Sequence, residues 1–281
     1  MPEPRDAKRL LAAVVAEFRS KQLLMLSSAI SFRIVLATIP TTLFVIALLG
    51  AFGFEELWRQ DVAPEVRDNT SAAAFTVIDD AVTRVLEGQN LFWITIGAAL
   101  ALVAMGSVVD AVTRTLNRIH DAEETRPFAE RAANAIAIGA LAGLLMLAAL
   151  ATVRLGALAF RDVLGDRAVV EVLSFVVRWA IAAGLLVAAV ILIVRVAPDL
   201  ERPLERVTLG AVITVGGWVV ASLLFGLYLT LVADYGSIFG QLATFYIAFQ
   251  YVALAAIVFV AGLVIDAITA RGGRFSSGQS G

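Results

Sequence analysis

Asn134-Ala-Ile-Ala-Ile-Gly-Ala-Leu-Ala-Gly-Leu-Leu-Met-Leu-Ala-Ala-Leu-Ala-Thr-Val153 runs for twenty residues without a charge. As a helix rising about 1.5 Å per residue it covers about 30 Å, the thickness of a bilayer's hydrocarbon core. Its apolar side chains fall on every side of that helix, which suits lipid better than the rim of a soluble core. Five further stretches qualify on either side, so the chain reads as spans over 28–53, 91–112, 134–159, 173–197, 208–232 and 242–268. The third and sixth are the cleanest, and the fourth carries Arg178.

Composition agrees with this reading. Apolar residues make up 60% of 281 positions and charged residues 16%. A soluble domain has about 45–50% apolar and about 25% charged residues, and its core cannot hide such an excess. The fold class expected is therefore all-α: a polytopic membrane protein of six transmembrane helices. A net charge of −2 gives no basic field for nucleic acid. The absence of cysteine excludes disulfides, thiolate metal sites and cysteine nucleophiles. Residues 1–26 do not read as a cleaved signal peptide, because Glu17, Arg19 and Lys21 interrupt the apolar residues.

Orientation follows from arginine and lysine, which resist translocation in short loops. With the N-terminus inside, fourteen basic residues lie on the cytoplasmic side and six outside; Arg33 and Arg178 lie within spans. Both termini are thus expected in the cytoplasm. Residues 1–27 form a separate unit there, an amphipathic helix with Leu11, Val14, Val15, Phe18, Gln22 and Met25 on one face. Two readings are open for it: a helix in the membrane interface drawn to anionic lipid, or one packed on the other spans. A single transmembrane domain covers 28–269, and the Gly/Ser-rich stretch 270–281 reads as a disordered tail. Between the first two spans, Ser71 begins a second helix outside the membrane over 71–88, repeating Phe75, Ile78, Val82 and Val85.

Ionisable residues inside spans are costly and so are candidates for function. Arg33 and Asp110 lie at similar depth on antiparallel spans, and a pair would neutralise both; alternatively Arg33 snorkels and Asp110 ends its helix. Arg178 and Arg154 share the other leaflet, where two guanidiniums suit a phosphate, or each snorkels separately. Asp266 and Arg195 read as boundary residues. Pro40 cannot donate to the Leu36 carbonyl, and Thr38, Thr41 and Thr42 beside it can satisfy freed backbone. Gly139-Ala-Leu-Ala-Gly143 permits close helix approach, as do Gly210, Gly216 and Gly217, within one subunit or between subunits. The sole histidine, His120, has no second histidine to complete a metal set. No Walker loop, dinucleotide fingerprint or nucleophile elbow is present. No catalytic residue, metal or cofactor is expected.

Three stretches together resemble the YihY/BrkB family of bacterial inner-membrane proteins. They are Ala29-Ile-Ser-Phe-Arg-Ile-Val-Leu-Ala-Thr-Ile-Pro40; Leu116-Asn117 followed by Glu124-Thr125-Arg126-Pro127-Phe128; and Tyr235-Gly236-Ser-Ile-Phe-Gly240. With Pro198 and Gly210-Ala211 in order, the likeness covers residues 10–268. Phe32-Arg33 stands where many members have two tyrosines, Phe239 replaces a tyrosine, and the second span lacks the family's tryptophan near 104–106. The resemblance implies six spans, the bacterial inner membrane and a role in envelope integrity, and it brings Asn117, Glu124 and Arg126 in as motif residues. Some members once carried a ribonuclease label; no metal cluster or basic groove here supports it.

The leading expectation is a transporter or flippase, not driven by ATP, for lipids or other amphiphiles with an anionic head. Arg33 and Asp110 form its inner gate and Arg178 meets the head group. Tyr235 and Phe239 line the outer mouth, where Gly236 and Gly240 let backbone approach closely, and the kink at Pro40 is a hinge or a substrate contact, or else only a packing feature. A scaffold that holds partner proteins is the alternative, and an enzyme comes third. Membrane lipids are the expected partners, a homo-oligomer is open, and nucleic acid is not expected.

Overall fold

The computed structural model describes residues 4–51, 56, 58–69, 72–87, 91–164, 168–198, 204–231 and 242–277. Among them there is no strand. The helices are α1 (Pro4–Ser20), α2 (Leu23–Ala51), a short π-helical turn (Trp58–Val62), α3 (Ala63–Asn69), α4 (Ala72–Glu87) and α5 (Leu91–His120). They continue with α6 (Phe128–Leu164), α7 (Ala168–Val196), α8 (Leu204–Leu231) and α9 (Leu242–Ser277). Six of them, α2 and α5 to α9, are long and apolar enough to cross a membrane. The molecule is a multi-pass helical membrane protein.

The spans touch in chain order and the ring closes: α2 meets α5, then α6, α7, α8, α9 and α2 again. Lipid tails are as apolar as leucine, so burial alone does not drive helices together here; close packing and interhelical hydrogen bonds do. Small residues supply the closeness. A Cβ on Gly139 of α6 would lie 2.9 Å from the Met105 backbone carbon of α5, and one on Gly143 would meet the Met105 side chain. Gly106 of α5 stands likewise against Ile136. On the opposite side of the ring, Gly217 and Gly210 of α8 face Val258 and Asp266 of α9, whereas Gly216 faces open space. The small-residue faces named from sequence are thus spent largely inside one subunit.

Among the described residues the largest apolar core lies at the α1 end of the ring. It gathers Leu23 and Ile30 of α2, Val112, Leu116 and Ile119 of α5, Val190 and Val194 of α7, Val215 of α8, and Val260 and Val264 of α9. The second span extends well beyond Val112 into this core, a departure from the expected boundary. Thr113 and Thr115 are buried in this extension, and their hydroxyls donate back to the Val109 and Ala111 carbonyls, both at 2.9 Å. Self-satisfied threonines enter a core at little cost.

Helix α1 stops at Ser20 and does not run on to Met25. Lys21 and Gln22 form an elbow, with Gln22 at φ 56°. Val14 and Phe18 pack against the core while Leu11 and Val15 remain exposed, so the expected single face divides in two. The helix between the first two spans forms as α4; its Asp79 accepts a 3.0 Å bond from Trp58 Nε1, and Arg67 sits 4.6 Å above the Phe75 ring. At the other end α9 continues to Ser277, where a tail was expected from residue 270; propagation from the buried turn at Val264 and Ala267 carries it past Gly272 and Gly273. Helix α2 passes through Pro40 unbroken, and Thr38 Oγ1 donates to Ile34 O at 2.9 Å.

Candidate functional site

The close α5–α6 crossing decides where the polar residues meet. Asp110 lies one turn beyond Gly106, and Arg131 lies two turns before Gly139, so both reach the same side of the crossing. Arg33 arrives from α2, whose approach is smoothed by Ser27 and Ser31; these are buried and donate to the Leu23 and Ser28 carbonyls. The Arg33 guanidinium donates to Asp110 Oδ2 at 3.1 Å and to the Ser107 carbonyl. Arg114, one turn along α5, donates Nε to Oδ2 at 3.0 Å. Arg131 donates Nε to Oδ1 at 2.9 Å, with Nη2 on the same oxygen.

Of the two readings open from sequence the pair forms, and two further arginines join it. Sequence reasoning placed Arg114 and Arg131 only as loop charges. The spacing Asp110–Arg114, i and i+4 on one helix, was the available signal for the first. Arg131 required the crossing geometry. Asp110 retains 17% side-chain exposure, Arg131 23%, Arg33 31% and Arg114 58%. One carboxylate thus anchors three cations, and the most exposed of them faces the protein's surroundings.

A second cluster closes the α1 end. Helix α5 terminates at His120 with Asp121 at φ 53° and Ala122 N–H donating to Asn117 O at 2.9 Å, the bonding of a Schellman cap. That turn aims the following segment back over the ring. Asn117 Nδ2 donates to Glu124 Oε2 at 3.1 Å, and Arg126 grips the same carboxylate through Nε at 2.6 Å and Nη2 at 3.1 Å. Arg126 Nη2 also donates to Ala197 O at 2.8 Å, at the end of α7. The Arg126 fork, then burial opposing it, then Asn117 act on Glu124, and the net effect holds its carboxyl below the usual glutamate range. The three motif residues named from sequence thus form one latch across α5, the connecting segment and α7. Lys21 adds a tie that sequence reasoning missed: its ammonium donates to Ile119 O at 2.8 Å and to Asp121 Oδ2 at 2.6 Å, capping α5 from the α1–α2 elbow.

The remaining candidates are placed differently. Arg178 donates Nη1 to Val153 O of α6 at 3.0 Å and Nε to Ser174 O at 3.1 Å, so its fork ties α7 to its neighbour. The side chain of Arg154 and residues 232–241, with Tyr235, Gly236, Phe239 and Gly240, lie outside the described residues. Asp266, expected as a boundary residue, is buried against Gly210, while Arg195 is exposed. Among the described residues no group of three or more His, Cys, Asp or Glu could hold a metal ion.

Comparison with known proteins bears on this arrangement. The chain is 24% identical over 246 residues to a ribonuclease-like protein, YfkH, of Bacillus subtilis (strain 168), an alignment covering 86% of this chain and 88% of that one. No solved structure matches. The family described as Virulence factor BrkB matches residues 14–280. That stretch takes in the Asp110 hub, the Glu124–Arg126 latch and all six spans, and on it the chain belongs to the BrkB family of membrane proteins.

Proposed function

We propose that this protein binds amphiphiles with an anionic head group and moves them across the bacterial inner membrane without ATP. Arg33, Arg114 and Arg131 act as the head-group station, and Asp110 is their resident counter-ion. One observation carries the reading: among the described residues three guanidiniums bond to a single carboxylate within the spans, so that cations outnumber the acid they share. Uncompensated charge in a low-dielectric setting is expensive, so the station favours an anion. Guanidinium forks match the oxygens of a phosphate as they match those of a carboxylate. The distribution of arginine and lysine supports placing both termini, and with them the α1 end, in the cytoplasm. The station then serves the inner leaflet, and the apolar plug with the Glu124–Arg126 latch forms the inner gate.

The test is reconstitution into vesicles containing fluorescent phosphatidylglycerol, phosphatidylethanolamine or phosphatidylcholine. Transbilayer movement of the anionic lipid should exceed that in empty vesicles, and Arg33→Gln combined with Arg131→Gln should remove the excess. Rates equal to those of empty vesicles for every anionic lipid would overturn the proposal. A scaffold is the second reading, and a separate observation favours it: Arg178 spends its fork on backbone carbonyls of α6 and α7, as a rigid bundle requires. It predicts no acceleration for any lipid. A hydrolytic role, suggested by the relative's ribonuclease-like name, has no metal-holding group in its favour among the described residues.

A further inference from the structure

Helix α1 offers two faces with different fates. Val14 and Phe18 pack on the apolar core at the end of the ring, which fixes the helix as part of the bundle. Lys8, Leu11, Val15 and Arg19 follow one another at spacings of three and four, so they share the other face. Leu11 is 65% exposed and Val15 45%, and Lys8 and Arg19 are exposed as well. Past the two-residue elbow the exposed apolar surface resumes at once with Leu24 and Met25 and continues along α2 through Phe32, Leu36 and Ile39. On a membrane-spanning ring that stripe of α2 faces lipid.

We propose that the Lys8–Leu11–Val15–Arg19 face of α1 lies in the headgroup layer at the α1 end of the membrane and engages anionic lipid there. Continuity with the lipid-facing stripe of α2 argues for lipid as the occupant. Charge complementarity argues for anionic lipid: the basic residues stand at the two ends of the apolar pair, where long side chains extend to phosphates while leucine and valine enter the acyl boundary. The two readings left open by the sequence then both hold, one for each face. This inference is independent of transport.

The chain has no cysteine, so single cysteines can be labelled without background. Leu11→Cys, Val15→Cys and, on the same helix but turned away, Ala16→Cys are each labelled with a polarity-sensitive fluorophore in the full-length protein. They are reconstituted in vesicles of phosphatidylcholine with or without phosphatidylglycerol. Iodide should quench the labels at positions 11 and 15 at least about threefold less than the label at position 16, and nitroxide lipid should quench them more. Phosphatidylglycerol should deepen the contrast, salt should reduce that gain, and Lys8→Ala with Arg19→Ala should abolish it. Equal iodide access at all three positions overturns the proposal. So does protection that vanishes when the protein is diluted to one copy per vesicle, which would assign the face to a second copy. Protection indifferent to phosphatidylglycerol removes the anionic preference.

Discussion

Asp110→Asn keeps the size of the side chain and removes its charge, leaving three guanidiniums around a neutral amide. The cost follows from each contact. Arg114 is 58% exposed and one turn from Asp110 on the same helix, an arrangement that contributes about 0.3–0.5 kcal/mol. Arg33 and Arg131 are far less exposed, at 31% and 23%. A hydrogen bond to a charged group contributes about 1.5–3 kcal/mol when dry, and solvent screening of these two brings each to about 1 kcal/mol. Repulsion among the three cations adds to this, so the total loss is about 3 kcal/mol. At about 2–4 °C per kcal/mol for a chain of this size, the midpoint should fall by about 6–12 °C. Arg131→Gln removes the Nε and Nη2 bonds to Oδ1 and leaves the carboxylate two arginine partners, which should cost about 1 kcal/mol, and Arg114→Gln less than about 0.5 kcal/mol. Thermal unfolding in one detergent, followed by helical circular dichroism, checks the order Asp110→Asn, then Arg131→Gln, then Arg114→Gln. A midpoint for Asp110→Asn within about 1 °C of the parent, or an Arg114→Gln loss as large, would refute the hub.

The glycines make a contrast on the same assay: Gly139→Ala puts a methyl against the Met105 backbone and should cost about 1–3 kcal/mol. Gly216→Ala, which meets open space, should be neutral or stabilising by up to about 1 kcal/mol. Glu124 gives a pH dependence. Its carboxyl is held low by Arg126 in the folded protein, so the latch contributes fully above the unfolded glutamate value of about pH 4.3 and is lost as pH falls through the lowered folded value. Limited proteolysis between residues 121 and 127 should accelerate on acidification, and Glu124→Gln should make cleavage fast and flat over the same range. Lys21→Met removes the α5 cap and the tie to Asp121; hydrogen exchange at Ile119 to Ala122 should rise by about tenfold, with the α6–α7 region unchanged.

The spans were legible because lipid imposes a length and a hydropathy on each one, and both are written locally in the chain. Charge inside those spans was equally visible, which is why a pair of Arg33 with Asp110 stood as one of two readings, beside an arginine that snorkels and an aspartate that ends its helix. What failed was whatever depended on the crossing of two helices. Arg131 looks like a loop residue until Gly106 and Gly139 bring α5 and α6 backbone to backbone. The span also runs past Val112 through polar Thr113 and Thr115, which enter the core by bonding to their own helix. Asp121 was unreadable for a related reason: a left-handed cap favours glycine, and aspartate there is tolerated with help from Lys21. The amphipathic face of α1 was read as one surface because periodicity reports which residues are apolar and not which neighbour takes them.

The hub and the latch differ in how each could yield, and this bears on the transport reading. Opening the latch separates the Arg126 fork from Glu124 and from the Ala197 carbonyl and exposes both charges to water. The hub needs no such exposure. Its arginines require one anion with oxygens in fork geometry, and a phosphate diester meets that requirement as a carboxylate does. On the proposed reading an incoming head group takes Arg114, the most exposed member, and then shares Arg33 or Arg131 with Asp110, so that counter-ions are exchanged and Asp110 is never left without an arginine. A head group without negative charge gains nothing in this exchange. On the proposed transport reading, selectivity for anionic amphiphiles would follow from the ratio of three cations to one acid, and not from the shape of a pocket.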